Sequence, residues 1–211
     1  MNLIPAVRHR TSLPGTCHLE SLRKFRSAGL NAAAEKLVSE RLKELAVARG
    51  NKGFFAEFTA SAAGLKPIDA GKGFDAYVLQ ITEKAVRIDA NTAAGLFYGI
   101  QTFLQLPGDA PCGTIRDEAA IPVRMIHWDL KGCQPTVKTL LEELRILASF
   151  KVNAILLEIE DKYAYRCAPD VGVADAYTFR DLRRISRAAA GLHIMIVPKL
   201  QCLAHVDYLL K

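Results

Sequence analysis

Apolar residues follow two different spacings between Val123 and Asp161, and the reading of the chain is built on that stretch. Residues 123–130 form a largely apolar run. Val137, Leu140, Leu141, Leu144, Leu147 and Phe150 then recur three and four apart, as one face of a helix does, and Ala154 to Leu157 are apolar on both sides of an extended chain. Strand, helix and strand make a βαβ unit, and a strand apolar on both faces predicts a parallel sheet covered by helices. Ligands of such sheets sit beyond the carboxyl ends of the strands. Asp129 and Lys131 stand there after the first strand, and Glu158, Glu160 and Asp161 after the second.

The alternation continues downstream. Thr178 begins a helix with Asp181 as its capping-box partner, Phe179, Leu182 and Ile185 on its apolar side and Gly191 closing it, and residues 193–200 read as a third strand. Upstream, short strands alternate with two helices. The first helix is capped by Asn31, carries Leu37, Val38, Leu42 and Leu45 on one side and ends at Gly50. Strands of hairpin type are expected over 54–59, 77–81 and 86–88. Asn91 then caps a helix whose face holds Leu96, Ile100, Phe103 and Leu104. Gly95 and Gly99 lie one turn apart on it, which costs stability unless something packs closely there. The turn-forming segment PGDAPCG, residues 107–113, ends the helix and places a domain boundary between itself and Val123. The expectation is an α/β protein: a small α+β domain over 1–116, then β/α units over 117–211.

Composition narrows the class. Half of the 211 residues are hydrophobic, as in ordinary globular proteins, and no apolar run approaches the roughly 20 residues of a membrane-spanning helix. The opening residues MNLIPAVRHR lack the basic-then-apolar order of a secretory signal. A net charge of +6 is spread along the chain, and its small clusters, 23–26 and 180–187, read as solvated faces rather than a nucleic-acid surface. The five cysteines form no CxxC pair, which suits reduced, mostly buried thiols in the cytoplasm better than a disulfide framework or a zinc site.

Three motifs, HWDLKG (127–132), LLEIEDKYAY (156–165) and VPKLQCLAHVDYLLK (197–211), together with AGLFYGIQTFLQL (94–106), carry a family resemblance. The chain resembles family 20 glycoside hydrolases, the β-N-acetylhexosaminidases, most closely the hexosaminidase D type. AGLFYGIQTFLQL is similar to the last helix of the small domain that precedes the catalytic barrel in that family. The resemblance implies the first three β/α units of a (β/α)₈ barrel, a terminal N-acetylhexosamine on a glycan or glycoside as substrate, and neither cofactor nor metal. From the spread of charge and the short apolar runs, neither nucleic acid nor a membrane is expected as a partner, and the oligomeric state stays open.

Each candidate residue has two readings at this level. Arg124, inside an apolar strand, needs a partner; this is a structural ion pair with a strand-end carboxylate or, as the resemblance implies, a fork on the hydroxyls of the terminal sugar. Glu158 and Glu160 share one side of a strand and Asp161 begins the loop; ordinary surface acids stand there too, but the resemblance gives Asp161 first and Glu160 second a part in holding sugar and catalytic groups. His205 is an incidental loop histidine or the partner of the general acid, in a position where Ala204 replaces the family's usual glycine. His127, Trp128 and Tyr163 are read as barrel packing. The substrate-assisted retaining mechanism also needs an Asp-Glu pair at the end of a fourth barrel strand, whereas this chain stops shortly after a third. The expectation is a fragment with no catalytic residue and no activity of its own. Its alternatives are a non-catalytic carbohydrate-binding protein and another barrel glycosidase, such as a glucuronidase-type enzyme.

Overall fold

The computed structural model describes residues 2–19, 22–47, 56–61, 74–201 and 203–210. The chain forms two compact units, Met1–Pro122 and Val123–Lys211.

In the first unit β1 (His9–His18), β2 (Leu22–Ala28), α1 (Ala32–Val47), β3 (Ala56–Ser61), β4 (Phe74–Ile81), β5 (Ala85–Ala90), α2 (Ala93–Leu104) and β6 (Asp109–Ala119) follow in order. The sheet runs β1-β6-β4-β5-β3-β2. β1, β6, β4 and β5 pair antiparallel, whereas β3 pairs parallel with both β5 and β2. Only β4 and β5 make the expected hairpin; the strand expected over 54–59 is no hairpin strand in its described part. Tyr77, Leu79, Ile81, Val86 and Ile88 are buried on one side of the sheet, as are Leu96, Phe97, Ile100 and Phe103 of α2. The two glycines explain how closely α2 sits. A Cβ on Gly95 would stand 2.8 Å from the carbonyl carbon of Asp75, and one on Gly99 would stand 2.7 Å from Cγ2 of Ile88.

Asn31 caps α1 as expected, its Oδ1 accepting from the Ala34 amide at 2.9 Å. Gly50 lies outside the described residues. The cap of α2 is Thr92, whose Oγ1 accepts from Gly95 N at 2.9 Å, and not Asn91, whose own N–H donates to the Ala76 carbonyl. A larger correction concerns PGDAPCG. From Asp109 onward it is strand, so a boundary at 116/117 would cut β6. Pro111 is tolerated because β4 pairs with β6 only as far as Gly113, and β1 bulges between Ser12 and Thr16 beside it. Gly113 has φ +154°, and a Cβ there would fall 2.1 Å from the Thr11 carbonyl oxygen; no other residue fits.

The second unit contains β7 (Met125–Asp129), α3 (Val137–Ser149), β8 (Ala154–Glu158), α4 (Phe179–Gly191) and β9 (Met195–Lys199), with three short helical turns, Glu160–Lys162, Pro169–Val171 and Asp207–Leu209. β7, β8 and β9 lie side by side, all parallel. No closed barrel forms among the described residues. Ile155 and Leu157 are buried, with Leu140, Leu144 and Ala148 of α3 and Ile185 and Ala189 of α4. Thr178 and Asp181 form the expected capping box. Both helices end in the same way, with hydrogen bonds Lys151 N to Ala148 O and Val152 N to Leu147 O in one, and His193 N to Ala190 O and Ile194 N to Ala189 O in the other. This double bond around a left-handed residue closes the helix. The left-handed position falls on Lys151 (φ +61°) and His193 (φ +56°), so His193 closes α4 and Gly191 is still helical.

Candidate functional site

Parallel register sets the last residues of the three strands in a row, Asp129 beside Glu158 beside Lys199. Glu158, in the middle, is 1% exposed. Such a carboxylate survives only if its oxygens are filled. Oε2 accepts from Lys199 Nζ at 2.7 Å and lies 2.7 Å from His127 Nε2, while Oε1 accepts from Gln201 Nε2 at 2.6 Å. Lys131 Nζ stands 3.0 Å from the same Oε1. Burial pushes the Glu158 carboxyl upward, but the bonds from Lys199, Gln201, Lys131 and His127 outweigh it and take it down to about 2. Glu158 is therefore ionised at neutral pH and cannot give up a proton there. Lys131 ties the row together, its ammonium also 3.6 Å from Glu160 Oε1 and 4.0 Å from Asp129 Oδ2. The bond to Glu158 holds the Lys131 ammonium above its ordinary value.

Beyond β8 the chain turns sharply. Glu160 takes a left-handed conformation, φ +41°, although it is not glycine. Its side chain is buried, and Oε1, with the Lys131 ammonium as ionic neighbour, has no hydrogen bond. The turn is braced from outside: the Tyr165 hydroxyl donates to the Glu160 carbonyl at 2.8 Å, Val173 N donates to the Asp161 carbonyl, and Tyr177 N donates to that of Lys162. Burial first, then the neighbouring Tyr208, Tyr163, Asp161 and Cys167, push the Tyr165 phenol up to about 12. Asp161 Oδ1 accepts from Lys162 Nζ at 2.8 Å. The turns Glu160–Lys162 and Asp207–Leu209 pack together, and the Tyr208 hydroxyl donates to the Gln201 carbonyl at 3.0 Å.

Of the four residues expected to hold substrate, Glu160, Asp161 and His205 lie at this carboxyl end. His205 is exposed on the loop after β9, with φ +56°; no hydrogen bond joins it to Asp161 among the described residues. Arg124 is not brought to them. It precedes β7, roughly 16 Å of strand before Asp129, and its Nε donates to the Lys151 carbonyl at 2.7 Å while its amide donates to Asn153 Oδ1 at 2.7 Å. The guanidinium there braces the turn that leads into β8, at the amino end of the sheet.

His127 corrects the packing expectation, since its ring meets Glu158. Trp128 does pack, buried, with Nε1 donating to Glu143 Oε1 of α3 at 2.9 Å. Sequence position alone gives Glu158 no role and points to neither Lys199 nor Gln201. Their signal is the two-residue spacing of Lys199 and Gln201 at the end of the third strand, which puts two donors on one side. Among the described cysteines Cys17 and Cys112 are buried and Cys133 and Cys167 exposed, so the described thiols divide evenly between core and surface. Among the described residues no helix is long and apolar enough to cross a membrane.

The family model for glycosyl hydrolase family 20, domain 2, matches residues 1–118, more than half of the chain. The chain belongs to glycosyl hydrolase family 20. Human hexosaminidase D is 29% identical to this family 20 chain over 90 residues, which are 42% of it and 18% of the human protein. The β-N-acetylhexosaminidase of Streptomyces coelicolor superposes with a TM-score of 0.80 at 22% identity, over 99% of this chain and 48% of that one. The chitobiase of Flavobacterium johnsoniae gives 0.79 at 20% identity, over 99% and 36%. These two show the fold. The family 20 chain thus spans less than half the length of the solved structures it matches, and a smaller share of its curated relatives.

Proposed function

We propose that this family 20 chain contributes the small α/β domain and the first three β/α steps of the catalytic barrel of a β-N-acetylhexosaminidase of the hexosaminidase D type. The carboxyl end of its parallel sheet holds a terminal N-acetylhexosamine. The row of acids and cations around Glu158, at the end of the sheet where α/β folds bind ligands, is the observation that carries this reading. Glu160, with a buried oxygen that makes no hydrogen bond, and Asp161 accept from sugar hydroxyls; His205 reaches the same ring from the loop after β9. Glu158 is a positioning residue that fixes Lys131, Lys199 and His127. Arg124 is no part of this site.

Retaining hydrolysis in this family relies on the substrate's acetamido oxygen as nucleophile, an aspartate to orient it, and a carboxylic acid to protonate the leaving oxygen. That acid must keep its proton near neutral pH, and Glu158, at about 2, does not. The one adjacent Asp-Glu in the sequence, Asp117-Glu118, stands on β6 of the first unit, where Asp117 accepts from the Tyr77 hydroxyl and Glu118 from Arg8. The 211 residues alone are therefore expected to bind N-acetylglucosamine and not to hydrolyse a chromogenic N-acetylglucosaminide. Titration with N-acetylglucosamine should move the amide resonances of Glu160, Asp161 and His205, and Asp161→Asn should weaken binding about tenfold. Turnover abolished by Glu160→Gln would put the acid on this strand and overturn the assignment of roles. Amide shifts confined to the Arg124 end would overturn the location.

A further inference from the structure

We propose that Lys131 is a sugar-contacting residue, whose ammonium and the Glu160 carboxylate together take two neighbouring hydroxyls of the hexosamine ring. This rests on the reading of the carboxyl end of the second unit's sheet as the sugar site, and adds a donor to it. Two groups there are incomplete. Glu160 Oε1 is buried and accepts no hydrogen bond, on a side chain only 9% exposed and at a turn whose φ of +41° is costly for a residue other than glycine. A buried polar atom without a partner carries a penalty that a ligand can relieve. The Lys131 ammonium stands 3.6 Å from that oxygen, beyond hydrogen-bond length. It has three donors. One meets Glu158 Oε1 at 3.0 Å, and Asp129 is 4.0 Å away, so hydrogens are left over. Glu158 alone does not explain the lysine, because Lys199, Gln201 and His127 already reach both of its oxygens.

A hydroxyl both donates and accepts. Of two on adjacent ring carbons, one donates to Glu160 Oε1 while the other accepts from Lys131, and both protein groups are completed at once. A terminal N-acetylhexosamine has one such free pair, on ring carbons 3 and 4. The backbone of the lysine is held in place for this contact: its amide donates to Asp129 Oδ1 at 3.1 Å, and the Leu130 amide donates to the Glu158 carbonyl at 3.1 Å. Its head is movable, at the end of a flexible four-carbon stem on a side chain 34% exposed. Open space lies beside it, since a Cβ on Gly132 would meet nothing within 4 Å. An entering ring can therefore shift the ammonium off Glu160 while the backbone stays where it is.

Binding is read by amide shifts of the full chain titrated with N-acetylglucosamine and with its 3-deoxy, 4-deoxy and 6-deoxy derivatives. Lys131→Met should bind N-acetylglucosamine about tenfold more weakly than the native chain does. That loss should vanish for the 3-deoxy or the 4-deoxy sugar, whichever lacks the hydroxyl that Lys131 meets, and persist for the 6-deoxy sugar. In the native chain the Cε and Nζ resonances of Lys131 should move saturably with the Glu160 amide, while those of Lys138 on α3 stay in place. An equal loss for every sugar overturns the proposal, as does a Lys131 head that stays still while Glu160 and Asp161 respond; either result leaves the sugar site standing. The resonances of the native lysine need no variant, so they decide the matter even where Lys131→Met does not fold. Absence of any shift at Glu160, Asp161 and His205 overturns the underlying reading of the site, and this inference with it.

Discussion

Glu158 shows how one residue's setting fixes what it can do. A carboxylate that is 1% exposed is stable only as long as its donors stay charged or bonded to it. Its folded-state value, about 2, lies below the roughly 4.3 of an exposed glutamate. A depressed carboxylate contributes stability that is fully present above its unfolded value and is lost as pH falls through the folded one. The second unit should accordingly lose stability between about pH 4.3 and pH 2. Glu158→Gln should cost on the order of 1–3 kcal/mol at neutral pH, and the gap to the native chain should close across that acid window. Thermal melts at a series of pH values measure this directly. A gap that stays constant down to pH 2 would mean that packing, and not the ionised carboxyl, makes the difference. At the same scale Arg124 marks a limit of sequence reasoning: a guanidinium in an apolar strand needs partners, and one of those found is the Lys151 backbone carbonyl, a group that every residue has.

At the level of elements, what could be read in advance follows from periodicity. α3, α4, β8 and the capping box at Thr178 obey strong local rules, and the structure has them. β1 and β6 do not obey such rules. β1 is exposed at nearly every position, so it has no apolar alternation to read, and β6 contains a proline and a glycine whose use depends on the bulge across from them. Glu158 as a hub was hidden for a related reason, because all four of its partners lie on the two neighbouring strands or just beyond them, and only register brings them together. Gly95 and Gly99 were legible as a question, why two glycines sit one turn apart, and the close approach of β4 and β5 to α2 answers it. Gly95→Ala should therefore destabilise the first unit by about 1–3 kcal/mol, although alanine favours helix by about 1 kcal/mol, because its Cβ would meet backbone atoms at 2.8 and 2.9 Å. Chemical denaturation measures the effect; an unchanged or raised midpoint would show that α2 can shift away from β4.

For the whole molecule the question is where one unit ends and the next begins. The turn-like composition of Pro107–Gly113 suggested a wide zone reaching to Val123, yet β6 occupies residues up to Ala119 and is hydrogen-bonded to β1 and β4. A protease must pull several residues of extended chain free before it can cut, so a strand paired on both edges resists unless a whole section of sheet opens. Past Ala119 that protection stops. Ile121 is 64% exposed and Val123 52%, and β7 does not begin until Met125. Brief digestion with a protease of broad specificity should give two fragments whose new ends, read by mass spectrometry, fall between Ala119 and Met125. Arg116 provides the internal control, since it is exposed to solvent but lies within β6. Early cleavage at Arg116, or anywhere from Asp109 to Ala119, would mean that β6 opens more readily than its pairing on both sides allows, and the division of the chain after Pro122 would have to be redrawn.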